Sequence, residues 1–99
     1  MMRHRLDLHP AVRDEMGEAY VWYERRSSGL GGTFLDEVNR VLNEILGNPA
    51  RYGFAAEDIR EAQMNRFPYA IYYRESGNRI RILSVFHAAR DPAKWQSRS

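Results

Sequence analysis

Two runs rich in β-branched and aromatic residues, Tyr69 to Arg74 and Arg79 to His87, flank Glu75-Ser76-Gly77-Asn78. No other feature constrains the fold as much. Short runs of this composition around those four residues specify two antiparallel strands joined by a four-residue hairpin loop. Taking the four residues as the loop sets Arg74 opposite Arg79. Period-two alternation then gathers Phe67, Tyr69, Ile71, Tyr73, Ile80, Ile82, Ser84 and Phe86 on one face, which must pack inward. The opposite face collects Tyr72, Arg74, Arg79, Arg81, Leu83, Val85 and His87. Like charges directly across a ladder are unfavourable by ~0.2–1 kcal/mol. Arg74 against Arg79, with Arg81 beside them, therefore predicts an anionic guest that relieves the repulsion.

A half-apolar sheet needs a cover, and the first half of the chain supplies one. Arg5-Leu6-Asp7-Leu8 alternates as a short strand. Pro10 then suits the first position of a helix, where its missing N–H costs nothing. Val12, Met16, Ala19 or Tyr20, and Tyr23 recur at helical spacing, predicting a helix from Pro10 to Arg26 with Arg13, Asp14, Glu18 and Arg25 on its other faces. Ser27-Ser28-Gly29-Leu30-Gly31-Gly32 is a breaker cluster joining two antiparallel helices. The second helix carries Phe34, Val38, Val41, Leu42 and Ile45 inward and stops at Gly47, before Pro49. Asn48 to Asp58 lacks periodicity and reads as a loop, and Ile59 to Phe67 as a further strand. Asp91, Pro92 and Trp95 point to a short C-terminal helix. The fold class is α+β: a β-α-α-β-β-β chain whose helical hairpin lies on a small, mostly antiparallel sheet.

Ninety-nine residues make one domain, 1–99. No apolar run approaches the ~20 residues of a membrane span, and the N-terminus lacks the apolar stretch of a secretory signal, so a cytoplasmic location is expected. The chain has no cysteine, which excludes disulfides and thiolate chemistry. His4, His9 and His87 are too scattered for a histidine metal site, and no cofactor is expected. Charge divides unevenly. Residues 1–58 hold seven arginines against ten carboxylates, a net −3; residues 59–99 hold eight cations against three carboxylates, a net +5. Fourteen of the fifteen cations are arginine, whose planar fork suits phosphate and carboxylate. An anionic partner, nucleic acid or an acidic protein segment, follows from both facts.

Four segments carry a resemblance. "EAYVWYE", "GLGGTFLDEVNRVLNEILGNPARY", "RFPYAIYYR" and "ILSVFHAARDPAKW" occur in the order found in the RelE/ParE superfamily of toxin-antitoxin toxins, and together they cover nearly the whole chain. The resemblance implies a small bacterial toxin neutralised by a cognate antitoxin encoded beside it, in a hetero-oligomeric complex. Members similar to RelE cleave mRNA in the ribosomal A site; members similar to ParE poison DNA gyrase. A metal-free ribonuclease needs a base, arginine and an acid around one phosphate. Arg66, in Arg66-Phe67-Pro68-Tyr69, matches the ribonuclease arginine motif, His87 matches the acid, and Glu61 is a candidate base. The chain departs from that branch in running twelve residues beyond His87, through Arg90, Lys94 and Trp95, and in having Lys94 as its one lysine. The ending "H…RDP…W" resembles the ParE branch, so gyrase is the expected target, with the ribosome and mRNA as the alternative.

The candidate surface for target or antitoxin is Tyr72, Arg74, Arg79, Arg81, His87, Arg90, Lys94 and Trp95. Each residue also has a plainer reading. His87 can be a strand-end histidine bonded to the following turn, Arg66 an ion-pair partner of a helix-one carboxylate, and Arg90 a local partner of Asp91. Trp22 and Tyr23 read as core and hairpin packing. Trp95 reads either as a cap on the core or as an exposed anchor. An acidic, amphipathic antitoxin segment that folds on binding would lay apolar anchors over the helices and approach the arginine face.

Overall fold

The computed structural model describes residues 4–89 and 92–98, the side chain of Lys94 excepted. Its elements are β1 (Arg5–Leu8), α1 (Pro10–Arg26), α2 (Leu30–Gly47), a 3-10 turn at Pro49–Arg51, β2 (Phe54–Ala56), β3 (Ile59–Gln63), β4 (Tyr69–Ser76), β5 (Arg79–His87) and one helical turn, α3 (Ala93–Gln96). The five strands form one sheet in the order β1-β5-β4-β3-β2. β1 runs parallel to β5, and every other pair is antiparallel. The architecture is the expected α+β one, a helical hairpin laid on a mostly antiparallel sheet.

α1 starts where the sequence places it. Pro10 occupies the first turn, and Nδ1 of His9 accepts from the Ala11 N–H at 3.1 Å, satisfying a donor that the helix itself leaves open. The helix–helix connection is shorter than the breaker cluster suggests, because Leu30, Gly31 and Gly32 are helical and only Ser27–Gly29 remain as turn. Two features pull the start of α2 forward. The Glu24 carboxylate accepts from the N–H groups of Gly29 (2.8 Å) and Gly31 (2.9 Å), so α1 caps α2. Gly31 in turn lets the helices touch: a Cβ there would lie 2.7 Å from the Tyr20 ring and from the Tyr20 carbonyl oxygen.

The stretch Asn48 to Asp58 is more ordered than a loop, since it holds the 3-10 turn and edge strand β2. β2 has three residues, too few for alternation to announce it. β3 ends at Gln63, so Phe67 reaches the core from the following loop and not from a strand.

The hairpin register is the main correction. Ser76 pairs with Arg79 and Arg74 with Arg81, so the loop is Gly77-Asn78 alone, with Gly77 at φ +61° as a two-residue turn with glycine first demands. A shift of two residues leaves every side chain on its predicted face. A bulge does not. Tyr73 pairs with Ile82 but Tyr72 pairs with Ser84, leaving Leu83 as an extra residue in β5. Beyond it the alternation inverts. Val85 joins the helix side and Phe86 the far side, opposite to expectation.

Two cores result. The larger one lies between helices and sheet: Val12, Ala19 and Tyr23 from α1, Phe34, Val38, Val41 and Ile45 from α2, and Ile71, Tyr73, Ile80, Ile82 and Val85 from the sheet. Tyr73 donates from its hydroxyl to the Pro49 carbonyl at 2.6 Å, and burial pushes its phenol up to about 12. The smaller core lies on the far side, where Ile59, Ala70, Tyr72, Leu83, Phe86 and Trp95 cluster.

Candidate functional site

Alternation along β5 and β1 builds the charged part of the far face. Arg79 and Arg81 stand beside Arg5 and Asp7 of β1 and beside Ser76 and Arg74 of β4. The sequence reading expects an outside anion to relieve the arginine–arginine contact; the structure relieves it from within. Arg79 meets the Asp7 carboxylate at 2.6 Å, and Arg74 meets Asp58 at 2.9 Å while donating to the Arg98 carbonyl at 2.7 Å. Arg81 donates to the Leu8 carbonyl at 3.2 Å. The hydrogen bond from Arg79 holds the Asp7 carboxyl below its ordinary range, and Arg74 does the same for Asp58.

The rest of that face is closed by the C-terminal turn. Trp95, 3 % exposed, stacks on Tyr72, 4 % exposed, with ring centroids 3.9 Å apart and planes at 14°. The Tyr72 hydroxyl donates to Glu61 at 2.8 Å, and burial together with that carboxylate raises its phenol. Of the two readings of Trp95, the structure shows the cap. Arg90 lies outside the described residues, as does the side chain of Lys94.

The ribonuclease candidates are not brought together. Glu61 pairs with Tyr72 across β3 and β4 and so shares the far face. His87, inverted by the bulge, turns to the helix side, where its ring meets Tyr69 edge-on at 5.3 Å. The sheet separates the two. Nδ1 of His87 accepts from the Ala89 N–H at 3.1 Å, which leaves its proton on Nε2. This is the strand-end histidine of the plainer reading. Arg66 is exposed in the loop between β3 and β4, and among the described residues it forms no ion pair with a helix-one carboxylate.

Two acids that the sequence reading passed over, Glu37, which is buried, and Glu15, which is partly so, hold loops and edges in place. Glu37 of α2 accepts from the backbone N–H of Asn65 at 3.1 Å and binds Arg40 through both oxygens (2.8 and 2.9 Å). Arg40, with the loop N–H groups of Asn65 and Arg66 assisting, holds the Glu37 carboxyl down at about 2. Arg40 also binds Glu44 at 2.7 Å, and Glu44 accepts from the Tyr52 hydroxyl at 2.9 Å. Glu37 thereby fixes the loop that presents Arg66. Glu15 of α1 accepts from the Val85 N–H (3.1 Å) and the Ser84 hydroxyl (3.0 Å), and it pairs with Arg98 at 2.9 Å. Arg98 donates to the Leu83 carbonyl at 2.9 Å. The two side chains cap the edge of β5 where β1 no longer covers it. A signal was available: Glu15 and Glu37 fall on the apolar stripes of their helices, between Val12 and Ala19 and beside Phe34 and Val38.

Above that edge lies a cleft of about 840 Å³, walled by Glu18, Trp22, Tyr69 and His87 among others. Trp22 is not core, unlike its neighbour Tyr23. It is 51 % exposed, edge-on to Tyr23 at 5.0 Å, with the Arg26 guanidinium 4.1 Å over its ring. An exposed tryptophan with a stacked arginine is the composition of a protein-contact anchor. Among the described residues no cluster of His, Asp and Glu is placed to hold a metal ion, and no helix is long and apolar enough to cross a membrane.

Among the described residues the arrangement is a polar, arginine-bearing sheet face and an aromatic cleft, with Glu61 and His87 on opposite faces of the sheet. Comparison with known proteins identifies the family and the fold. A search of curated proteins found no match. Among solved structures, a chain of the "Chromosomal ParDE TA system from P. aeruginosa" superposes with a TM-score of 0.72 at 16 % identity, over 85 % of this chain and 95 % of that one; at that identity the likeness concerns the fold. The sequence model described as "ParE toxin of type II toxin-antitoxin system, parDE" matches residues 6–92. The chain belongs to the ParE toxin family of type II toxin-antitoxin systems.

Proposed function

We propose that the chain acts in the cytoplasm by protein–protein contact with DNA gyrase, without catalysis, and that a cognate antitoxin neutralises it in a hetero-oligomeric complex. The observation that carries this reading is the separation of Glu61 from His87 by the thickness of the sheet. Transfer of a 2′-OH proton and protonation of the leaving oxygen need both groups around one phosphate. The contact surfaces that support it are the arginine face with Arg74, Arg79 and Arg81, and the cleft that holds Trp22 and His87. Membership in the ParE toxin family of type II toxin-antitoxin systems, and the fold shared with a chain of the ParDE TA system from P. aeruginosa, add to it.

A ribosome-dependent mRNA endonuclease is the second reading, favoured by one observation: Arg66 and His87 sit at the same end of the sheet, on either side of the first residue of β4. Purified chain added to a gyrase supercoiling reaction, and in parallel to a translating ribosome with mapping of mRNA ends, separates the two. Loss of supercoiling with intact mRNA is the expected result. Cuts that vanish in His87→Ala would replace the proposal with the ribonuclease.

A further inference from the structure

The sheet has two outer edges and one partly covered inner edge, and they are not treated alike. Unpaired strand edges attract other strands, so proteins normally blunt them. β2 is three residues long, its register is irregular, and Arg60 lies 4.1 Å over the Phe54 ring. The bare part of β5 is capped by Glu15 and Arg98. β1 has no such protection. Arg5 and His9 donate inward, to the Asn78 and Ile82 carbonyls, so the alternate residues Leu6 and Leu8 direct their backbone groups outward. The Leu8 carbonyl accepts from Arg81; among the described residues the Leu6 N–H, the Leu6 carbonyl and the Leu8 N–H meet nothing.

The side chains at this edge are as open as its backbone. Leu6 and Leu8 are paired with the core residues Ile80 and Ile82 and so face the helices, yet they are 38 % and 46 % exposed. Beside Leu8 runs a groove of about 400 Å³ formed with Arg13, Met16, Gly17, Tyr20 and Leu35. A Cβ added at Gly17 would touch nothing within 4 Å, so the groove is not a consequence of tight helix packing. On the other face of β1, Arg5, Arg79 and Arg81 surround the single carboxylate of Asp7. A second copy of the chain would bring its own arginine row against this one. An acidic segment would meet complementary charge.

We infer that the outer edge of β1 is a strand-addition site for an extended, alternating segment of the antitoxin, apolar residues lying over Leu6, Leu8 and the Gly17 groove and acidic residues toward Arg5 and Arg79. The inference rests on the antitoxin reading proposed above and adds to it the place, the backbone conformation and the residue pattern of the contact. Main-chain pairing supplies affinity in such additions, and alternate side chains supply specificity.

The test uses the full chain and the protein encoded by the adjacent reading frame. Amide hydrogen exchange resolved by residue is compared with and without that protein. Leu6→Pro removes an outward N–H that the free chain does not use, a position where edge strands tolerate proline, and Gly17→Leu fills the groove. Bound wild-type chain is expected to show Leu6 and Leu8 amides slowed at least about tenfold, each variant to lose about tenfold or more in affinity, and Gly17→Leu to melt no lower than wild type. If Leu6→Pro fails to fold, the exchange data and Gly17→Leu decide. Binding with both amides unprotected, or with Gly17→Leu as tight as wild type, overturns this inference and leaves the antitoxin reading standing. No binding at all overturns both. Free chain that dimerises with Leu6 and Leu8 protected assigns the edge to a second copy and overturns the inference likewise.

Discussion

Single carboxylates and glycines in this protein do work that their surroundings make measurable. Glu37 has its carboxyl held near 2 by Arg40 and the Asn65–Arg66 backbone, against an ordinary 4.5. A carboxyl whose pKa falls on folding adds stability that is complete above the unfolded value and disappears as pH drops through the folded one. Urea unfolding at pH 7 and pH 3 should therefore show wild type losing more stability between the two than Glu37→Gln loses. At pH 7 the variant should be less stable by roughly 1.5–3 kcal/mol, the range for hydrogen bonds to a charged group. Glycines make a second pair of cases. Gly31→Ala puts a methyl 2.7 Å from Tyr20 and should cost about 1–3 kcal/mol, whereas Gly17→Ala, with open space around it, should gain up to about 1 kcal/mol from helix propensity. Calorimetric melting of both variants checks the opposite signs.

At the scale of elements, the C-terminal turn and the bulge explain each other. Leu83 is squeezed out of the β4–β5 ladder, Phe86 turns to the far side, and a second core forms there that needs a lid. Trp95→Ala should cost ~3–5 kcal/mol, as truncations of buried tryptophan do, and should bring the Tyr72 phenol back toward its ordinary titration, read by ultraviolet absorbance. Glu15 and Arg98, 14 % and 15 % exposed, hold the edge beside it. Breaking one partner of a buried pair leaves the other charge stranded. Arg98→Met and Glu15→Gln should therefore each destabilise, and urea titrations of the two single variants and the double should show the double costing less than the sum of the singles.

The helices were legible because a period of 3.6 with Pro10 at one end and Gly47 at the other admits few alternatives. The bulge was not, and the reason lies in Ile82-Leu83-Ser84-Val85-Phe86, all buried. A run buried on both faces carries no alternation from which to read phase. It did carry a different message, that the far face was covered, and reading it would have moved Trp95 from anchor to lid. β2 escaped for want of length. Of the candidate surface, Arg74, Arg79 and Arg81 were placed on the face they occupy by a register wrong by two residues, while His87 was lost to the single residue inserted at Leu83.

For the molecule as a whole, charge is separated but not free. Arg74, Arg79 and Arg81 of the far face are engaged by Asp58, Asp7 and main-chain carbonyls, so an acidic partner competes with internal contacts there rather than filling an empty site. Antitoxin affinity should consequently weaken with salt, and the charge-reversed pair Arg79→Glu, Arg81→Glu should weaken it further and flatten that dependence. Titration calorimetry from low to moderate ionic strength measures both. An affinity that ignores salt and charge reversal alike would remove the electrostatic part of the mechanism.

The parallel pairing of β1 with β5 joins residues more than seventy positions apart, and it puts the last strand to be synthesised between the first strand and all the others. No N-terminal fragment ending before Arg79 can assemble the whole sheet, because β1 has only β5 to pair with and β5 has not been made. The five-stranded sheet is thus completed in one step, when β5 takes its place between β1 and β4, and until then the opening strand has no neighbour to pair with.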